Sequence, residues 1–123
     1  MLERMHINET VLGMAMQASA ARNAAISSNI ANVDTPGYKR EVVGFEKSLA
    51  EALDKATAKG VDLSGVEITQ GKAREAFSWR IDKNNVDMEA EMSALYQNSA
   101  RYDALASCFM SAKKRLALAI MGR

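Results

Sequence analysis

The segment from Asn29 to Arg40 constrains the fold most, because it holds the only proline of the 123-residue chain. Thr35 is pushed out of helical conformation by the proline that follows it, and Pro36-Gly37 is a favoured central pair of a type II turn. Asn32 suits the left-handed position that often ends a helix. The segment therefore predicts that a helix ends near residue 32 and that the chain then turns sharply.

The residues before this turn have helical spacing on two faces. The helix is predicted over residues 5–32, within an N-terminal unit of residues 1–33. A first seam contains Ile7, Val11, Met14, Ala18, Ala21 and Ala25, in alternating steps of four and three. A second contains Leu12, Met16, Ser19, Ile26, Ile30 and Val33. Arg22 is the only charged residue between Thr10 and Val33, so we expect protein on more than one side of this helix.

The last third of the chain also has helical spacing. Residues 85–123 form the C-terminal unit, with a helix predicted over residues 87–121. Its seam contains Met88, Met92, Leu95, Ser99, Tyr102, Ala106, Phe109, Lys113, Leu116 and Ile120. Acidic residues near its start and Lys113, Lys114 and Arg115 near its end complement the helix dipole, and Gly122 is expected to stop it. The acidic side chains of the chain are expected to be solvated.

The middle region, residues 34–84, has weaker patterns. Phe45 to Thr57 has the spacing of a short helix, which Gly60 is expected to close. Apolar residues alternate first at Val66 and Ile68, then at Phe77, Trp79 and Ile81, which predicts two short strands. The alternative is a flexible arm that orders only against neighbours, since a single hairpin is marginally stable. Trp79 would be a core residue or the anchor of such a contact.

No arrangement of residues predicts catalysis, a metal or a cofactor. His6 is the only histidine, with no cysteine or carboxylate cluster at ligand spacing around it, which argues against a zinc site or a nucleophile triad. Cys108 is the only cysteine and is expected to pack inside a helix. Asp34, beside the turn, is expected to accept hydrogen bonds from the backbone. We therefore expect a protein that is not an enzyme.

Charge and hydropathy limit the partners. The formal net charge is +1, from 16 basic and 15 acidic residues, so no strong field attracts nucleic acid or an anionic membrane. No apolar run is long enough to insert into a bilayer, and the N-terminus lacks the features of a cleaved secretory signal. Protein surfaces are the expected partners.

Two segments resemble the axial proteins of the bacterial flagellum, the rod and hook family. The signature Asn-x-x-Asn-x-x-Thr-Pro-Gly-Tyr is present, and the matching motif comprises Asn29, Ile30, Ala31, Asn32, Asp34, Thr35, Pro36, Gly37 and Tyr38. The run Asn-Val-Asp-Met-Glu from Asn85, followed by a long helix, is similar to the C-terminal helix of the same family. The short chain, the run from Phe45 to Leu49 and the form of the C-terminal segment look most like the proximal rod subunits.

This resemblance implies a mainly helical structural protein whose terminal helices pack as a coiled-coil-like pair and polymerise into a helical tube. Implied partners are further copies, rod subunits of the FlgC, FlgF and FlgG type, the basal-body adaptor FliE and the flagellar export apparatus. The implied location is the basal-body rod, reached without a cleaved signal. The alternatives are another rod subunit, of the FlgC type, and a soluble helical adaptor or chaperone that binds partner helices.

Two sets of residues follow as candidate sites. Phe45 and Leu49 resemble the short export signal of early flagellar substrates, although the same spacing also fits a buried helix face. The residues expected to form an assembly seam are Ile7, Val11, Met14, Ile26, Ile30, Met88, Met92, Leu95, Tyr102, Phe109, Leu116 and Ile120.

Overall fold

The computed structural model describes residues 2–56, 60–73, 78 and 80–122. The elements follow in the order α1 (Leu2–Ala31), β1 (Glu41–Gly44), α2 (Glu46–Asp54), β2 (Thr69–Lys72) and α3 (Met88–Met121). The two long helices lie side by side, and β1 packs on α1. Side-chain hydrogen bonds join the middle of α1 to α3 and the end of α1 to the start of α3, so the pair is antiparallel. The predicted mainly α fold with paired terminal helices is confirmed.

The prediction that α1 has protein on more than one side is also confirmed. On one side, Ser19 and Asn23 contact α3. On another, Ala18 forms a buried cluster with Phe45 and Val66 of the middle region. The partly buried residues packed against this cluster are Met14, Ala15, Leu49, Ala52, Leu63 and Ile68. The alternating residues of the first seam thus pack partly on the middle region of the same subunit.

The middle region contains a small two-stranded sheet, but its strands do not lie at Val66 and Ile68, where the first strand was predicted. The sheet joins β1 to β2, antiparallel, with Glu41 opposite Lys72 and Gly44 opposite Thr69. Val66 is buried in the cluster just before β2, and Ile68 packs beside it, so the alternation there reports core contact rather than a strand. Ile81 lies in an exposed turn. Phe77 and Trp79, of the other predicted strand, lie outside the described residues.

The short helix α2 is confirmed but ends earlier than predicted. It begins after Phe45 and ends at Asp54, where the N–H of Lys55 donates to the carbonyl of Glu51 over 3.3 Å. Thr57, the predicted end, lies outside the described residues. Gly60 lies several residues beyond Asp54 and therefore does not close the helix. The bidentate ion pair from Arg22 to Glu46, at 2.8 and 2.9 Å, ties the first turn of α2 to α1.

α3 buries a different seam from the predicted one. Its buried residues are Glu91, Asn98 and Ala112, and half-buried Leu105 occupies the seven-residue step between the last two. The predicted seam shares only Leu95, Tyr102, Phe109 and Leu116 with the face that packs on α1. Met88 and Ile120 are exposed at 41% and 73%. The fully buried residues of α3 lie beside the predicted seam rather than on it, because two of them are polar residues that find partners on α1.

Both ends of α3 lie where the sequence predicts them, but its last turn holds no basic residue, so Lys113, Lys114 and Arg115 are too far from the end to complement the dipole. Asp87 is the N-cap, and its carboxylate accepts from the N–H groups of Glu89 and Ala90 at 2.9 and 3.2 Å. Gly122 adopts a left-handed conformation with φ of 66°, and its N–H donates to the carbonyl of Leu118. Cys108, however, is exposed rather than packed.

Candidate structural site at the helix junction

The predicted turn after α1 is present. Gly37 has φ of 72°, and the N–H of Tyr38 donates to the carbonyl of Thr35 over 3.2 Å. Positive φ at the third residue of a four-residue turn is the mark of type II. The N–H of Gly37 also donates to the carbonyl of Asp82 at 2.8 Å, which holds the turn against the segment before α3.

The end of α1 is capped differently from the prediction. Among the described residues other than glycine, only Lys83 has positive φ, so Asn32 is not in the left-handed position. Its N–H continues the helical pattern to the carbonyl of Ser28 at 3.1 Å, and its side-chain amide donates to the same carbonyl at 2.8 Å. Its side-chain oxygen accepts from the Thr35 hydroxyl at 3.1 Å. Asn32 therefore links helix and turn through its side chain.

Asn84, which no sequence pattern singled out, closes the end of α1 from the other side. Its amide group donates to three carbonyl oxygens, of Asn32, Val33 and Thr35, at 3.0, 2.9 and 2.8 Å. These carbonyls follow the end of α1 and each accepts a second hydrogen bond, from the N–H of Thr35, from Arg80 and from the N–H of Tyr38, so Asn84 reinforces the turn. Its side-chain oxygen accepts from the N–H of Val86 at 2.8 Å, so the side chain also shapes the entry to α3.

Asn29 is fully buried and joins three elements. Its side-chain oxygen accepts from the N–H of Glu41 at 2.7 Å, while its amide donates to the carbonyl of Glu41 at 3.0 Å. The amide thus mimics a neighbouring strand and covers the outer edge of β1. It also donates to the Glu91 carboxylate of α3 at 3.1 Å. The hydroxyl of Tyr38 lies 3.3 Å from the Asn29 side-chain oxygen and 3.1 Å from the Ser28 hydroxyl.

Glu91 is the unexpected member of the site, because its side chain is fully buried although acidic residues were expected to be solvated. It forms an ion pair with Arg40, whose own side chain is 38% exposed. The backbone N–H of Arg40 donates to the Asn85 side chain at 2.7 Å. A buried carboxylate needs such partners, since an uncompensated buried charge is strongly destabilising. We call Asn29, Tyr38, Arg40, Asn84 and Glu91 the polar junction.

The structure brings part of the predicted motif into this junction and leaves part outside. Asn29, Asn32, Thr35, Gly37 and Tyr38 make the contacts described above. Ile30 is half-buried, whereas Ala31 and Pro36 are exposed. The Asp34 side chain is 95% exposed and lies 3.9 Å from Arg80, and it accepts no hydrogen bond from the backbone of the described residues, which contradicts its predicted role as a backbone acceptor.

A second polar contact joins the helices further along. The Asn98 amide donates to the carbonyl of Ser19 at 2.8 Å and to the Asn23 side chain at 3.0 Å. Its side-chain oxygen accepts from the Ser19 hydroxyl at 3.0 Å. Ser19 and Asn98 are both buried, and these hydrogen bonds provide partners for the polar groups of both side chains.

The geometry of the polar junction and of the contact between Ser19 and Asn98 suits a structural role. Its hydrogen bonds hold two helices, a turn and a strand in one arrangement. No group of histidine, cysteine, aspartate and glutamate side chains that could hold a metal occurs in the described part of the chain. Nor does any helix there have the length and apolar character needed to cross a membrane.

The ion pair between Arg22 and Glu46 depends on pH in a defined direction. Burial raises the pKa of Glu46, but hydrogen bonds from the backbone and from Arg22, with the charge of Arg22, outweigh it and lower the pKa overall. A carboxyl with a lowered pKa in the folded state stabilises the fold above its unfolded pKa. That contribution is lost as pH falls through the folded pKa.

The turn yields a first prediction. Gly37→Val should destabilise the protein by roughly 1–2 kcal/mol, because a residue with a Cβ is strained at positive φ. The strain would be conformational, since a Cβ at this position meets no atom within 4 Å. Pro36→Ala should be milder, because it mainly loosens the unfolded chain. Urea unfolding of both variants measures the order, and a larger loss for Pro36→Ala would refute the type II turn as the constraint.

Comparison with known proteins agrees with these observations. A family model described as flagella basal body rod protein matches residues 11–39, which include the whole motif from Asn29 to Tyr38. The flagellar basal body rod protein FlgB of Bacillus subtilis (strain 168) is 31% identical over 97 residues, covering 74% of this chain and 75% of the relative. FlgB of Borreliella burgdorferi is 32% identical over 96 residues, covering 66% and 71%. FlgB of Cereibacter sphaeroides is 32% identical over 98 residues, covering 75% and 77%.

Proposed function

We infer that this chain, which belongs to the FlgB family of flagellar basal-body rod proteins and is a structural rod subunit, polymerises through one bare face of its helix pair. The family supports the rod as its location and other rod components as its neighbours. The relatives described above all carry the FlgB name, which gives no support to a FlgC-type subunit. The face and the path of assembly are our proposal, and the observation that carries them is the surface of α1.

Over residues 17–31, the exposed side of α1 has no charged residue and, apart from Gln17, only short side chains. It consists of Gln17, Ala20, Ala24, Ser27 and Ala31, in steps of three and four along one line of the helix. A helix on the surface of an isolated protein would normally carry charged residues there. Small residues instead let another helix approach closely.

Four methionines lie on one side of α3, Met88 and Met92 level with this part of α1 and Met110 and Met121 further along the helix pair. Met88, Met110 and Met121 are exposed at 41%, 71% and 68%, and half-buried Met92 continues the line. Flexible methionine side chains adapt to irregular partner surfaces. They are therefore suited to a contact that forms only on assembly.

The two lines lie on the same side of the helix pair. Each residue of a helix is rotated by about 100° from the one before it. By this measure, each of the two lines lies about 100° around its helix axis from the side that contacts the other helix. Because the helices are antiparallel, equal rotations in the same sense point to one side of the pair. The cluster around Phe45 and Val66 covers the opposite side. We call the surface formed by Gln17, Ala20, Ala24, Ser27, Ala31 and the four methionines the bare face.

This arrangement divides the predicted assembly seam. Ile26 is buried and Met14 packs on the cluster around Phe45, so both serve the subunit itself. Ile7, Val11 and Ile30 are half-buried, as are Leu95, Phe109 and Leu116, which lie on the side that meets α1. Side-chain surface that neighbours can contact remains on Met88, Met92, Tyr102 and Ile120. Burying that surface in a non-closing, head-to-tail contact would extend a helical tube.

A charge on the bare face tests the proposal. Ala24→Glu should leave the isolated subunit folded, because the residue is exposed, but should abolish incorporation into the rod by burying an unpaired charge. Ala50→Glu, an equal change at an exposed position of α2, is the control. Urea unfolding checks the fold, and purified basal bodies with swimming assays check assembly. Normal rods and motility in the Ala24→Glu strain would refute the bare face as the interface.

The neighbours that we propose for this face are further copies, rod subunits of the FlgC, FlgF and FlgG type, and the adaptor FliE. They follow from the family resemblance. A mixed set of neighbours agrees with a surface that combines small residues with adaptable methionines, since such a surface tolerates more than one partner shape.

We further propose that the flagellar export apparatus secretes the chain without a cleaved signal and reads Phe45 and Leu49. In the folded subunit Phe45 is buried and Leu49 packs beside it, which fits the alternative interpretation as a helix face. The two interpretations are compatible if the signal is read before folding.

A matched pair of variants separates these roles. Phe45→Ala with Leu49→Ala should reduce secretion at least about tenfold, which is the effect of losing about 1.4 kcal/mol of recognition. Val66→Ala damages the same buried cluster without touching the signal, so it should be secreted normally. Secreted and cellular protein are compared by immunoblotting. Equal secretion of the double variant and Val66→Ala would remove the signal hypothesis.

A further inference from the structure

α3 could bury either of two overlapping seams. The seam on the side that packs on α1 contains Glu91, Leu95, Asn98, Tyr102, Leu105, Phe109, Ala112 and Leu116, of which Tyr102 is still 36% exposed. The seam with more apolar residues contains Met88, Met92, Leu95, Ser99, Tyr102, Ala106, Phe109, Lys113, Leu116 and Ile120. With about 100° between successive residues, the centres of the two seams differ by a rotation of about 50° about the helix axis.

Hydrophobic burial alone favours the second seam, because it would cover more methionine surface. The structure buries the first, and four residues belong to that seam alone: polar Glu91 and Asn98, and apolar Leu105 and Ala112. Glu91 is fully buried between Arg40 and Asn29, and Asn98 is buried against Ser19 and Asn23. A rotation of about 50° would separate both side chains from these partners and leave polar groups buried without hydrogen bonds.

We propose that Glu91 and Asn98 determine which face of α3 packs on α1, and that this choice keeps the methionines of α3 on the outside of the subunit. Leu95, Phe109 and Leu116 supply burial but do not distinguish the two rotations, since they belong to both seams. Leu105 and Ala112 belong to the buried seam alone, but they offer less apolar surface than the methionines of the other seam. A polar residue in an otherwise apolar helix interface can specify one geometry at some cost in stability. That the outward methionines serve assembly rests on the proposed function. The rotation itself is a property of the isolated subunit.

The experiment therefore uses the isolated chain and a thiol probe on the methionine line. Cys108→Ser removes the native thiol and Met110→Cys places a new one at an exposed position. Adding Glu91→Leu and Asn98→Leu removes the two polar side chains that determine which face of α3 packs on α1. α3 should then rotate toward its more apolar seam and carry position 110 toward α1. The rate of maleimide labelling should fall by about tenfold, corresponding to protection by about 1.4 kcal/mol, with the helical circular dichroism retained.

The control carries equal substitutions away from both seams, Glu89→Leu with Gln97→Leu at exposed positions. It should label at the original rate. A milder variant, Asn98→Leu with Ser19→Ala, keeps Glu91 and should lower the labelling rate by a smaller factor.

Unchanged labelling in folded leucine variants would overturn the proposal. So would loss of cooperative unfolding in both leucine variants while the control stays folded, because the polar residues would then be required for folding rather than for choosing a face. Failure in either form leaves the assembly proposal untouched, since Ala24→Glu tests that separately.

Discussion

Asn29→Ala is expected to lower the free energy of unfolding by about 3 kcal/mol, a large part of the stability of a small domain. The side chain makes hydrogen bonds to both backbone groups of Glu41, to the Glu91 carboxylate and to the Tyr38 hydroxyl. Alanine would leave the N–H of Glu41 and one oxygen of Glu91 without a partner in a buried place. It would also leave a small cavity.

Urea unfolding followed by circular dichroism measures this loss. Asn8→Ala is the control, because Asn8 is an exposed asparagine of the same helix and shares any change in helix propensity. Its stability should change by less than about 0.5 kcal/mol. If Asn29→Ala proves no more destabilising than Asn8→Ala, the polar junction does not stabilise the fold in the way that its contacts indicate.

Asn84→Ala is expected to cost about 2–3 kcal/mol, for a different reason. Three carbonyl oxygens at the end of α1 would lose their shared donor, and the N–H of Val86 would lose its acceptor. The end of α1 and the turn should then open together. Hydrogen exchange should show the change as lost protection of the Gly37 and Tyr38 amides, with α1 before Ser28 unaffected.

Asn84→Asp separates the two functions of this side chain. The carboxylate can still accept from the N–H of Val86, but it donates nothing and places negative charge against the three carbonyl oxygens. It should therefore be at least as destabilising as alanine at neutral pH. An Asn84→Asp protein as stable as the original would contradict the capping role.

The features that the sequence predicted correctly depend on neighbouring residues. The two long helices follow from periodic spacing and from end signals such as Asp87 and Gly122, and the turn follows from Pro36-Gly37. These signals act within a few residues, so one stretch of sequence contains the whole cause.

The features that it missed depend on distant partners. Glu91 is buried because Asn29 and Arg40 meet it from segments more than fifty residues away along the chain. Asn98 is buried for the same reason, with partners on α1. β1 was missed because four residues with two valines are too short to show alternation, and its edge is completed by the side chain of Asn29. Two polar residues seven positions apart, Glu91 and Asn98, with Leu105 at the next seven-residue step, are the signal that could have indicated the true face.

Asn84 illustrates a further limit. An asparagine in a polar run before a helix suggests a turn or a cap for the helix that follows. In this protein its amide also caps a helix that ended about fifty residues earlier. Only the fold brings the end of α1 beside the start of α3, so only the structure reveals this second function.

The central claim, that the bare face is the surface through which the subunit joins the rod, is tested most directly by a density map of the intact basal body containing this protein. We expect the α1–α3 pair with its contact between Asn29 and Glu91 preserved, and a helix of a neighbouring subunit packed on Ala20, Ala24 and Ser27. A map in which this line of α1 faces solvent, while neighbours contact the side formed by the β1–β2 sheet and α2, would contradict the account.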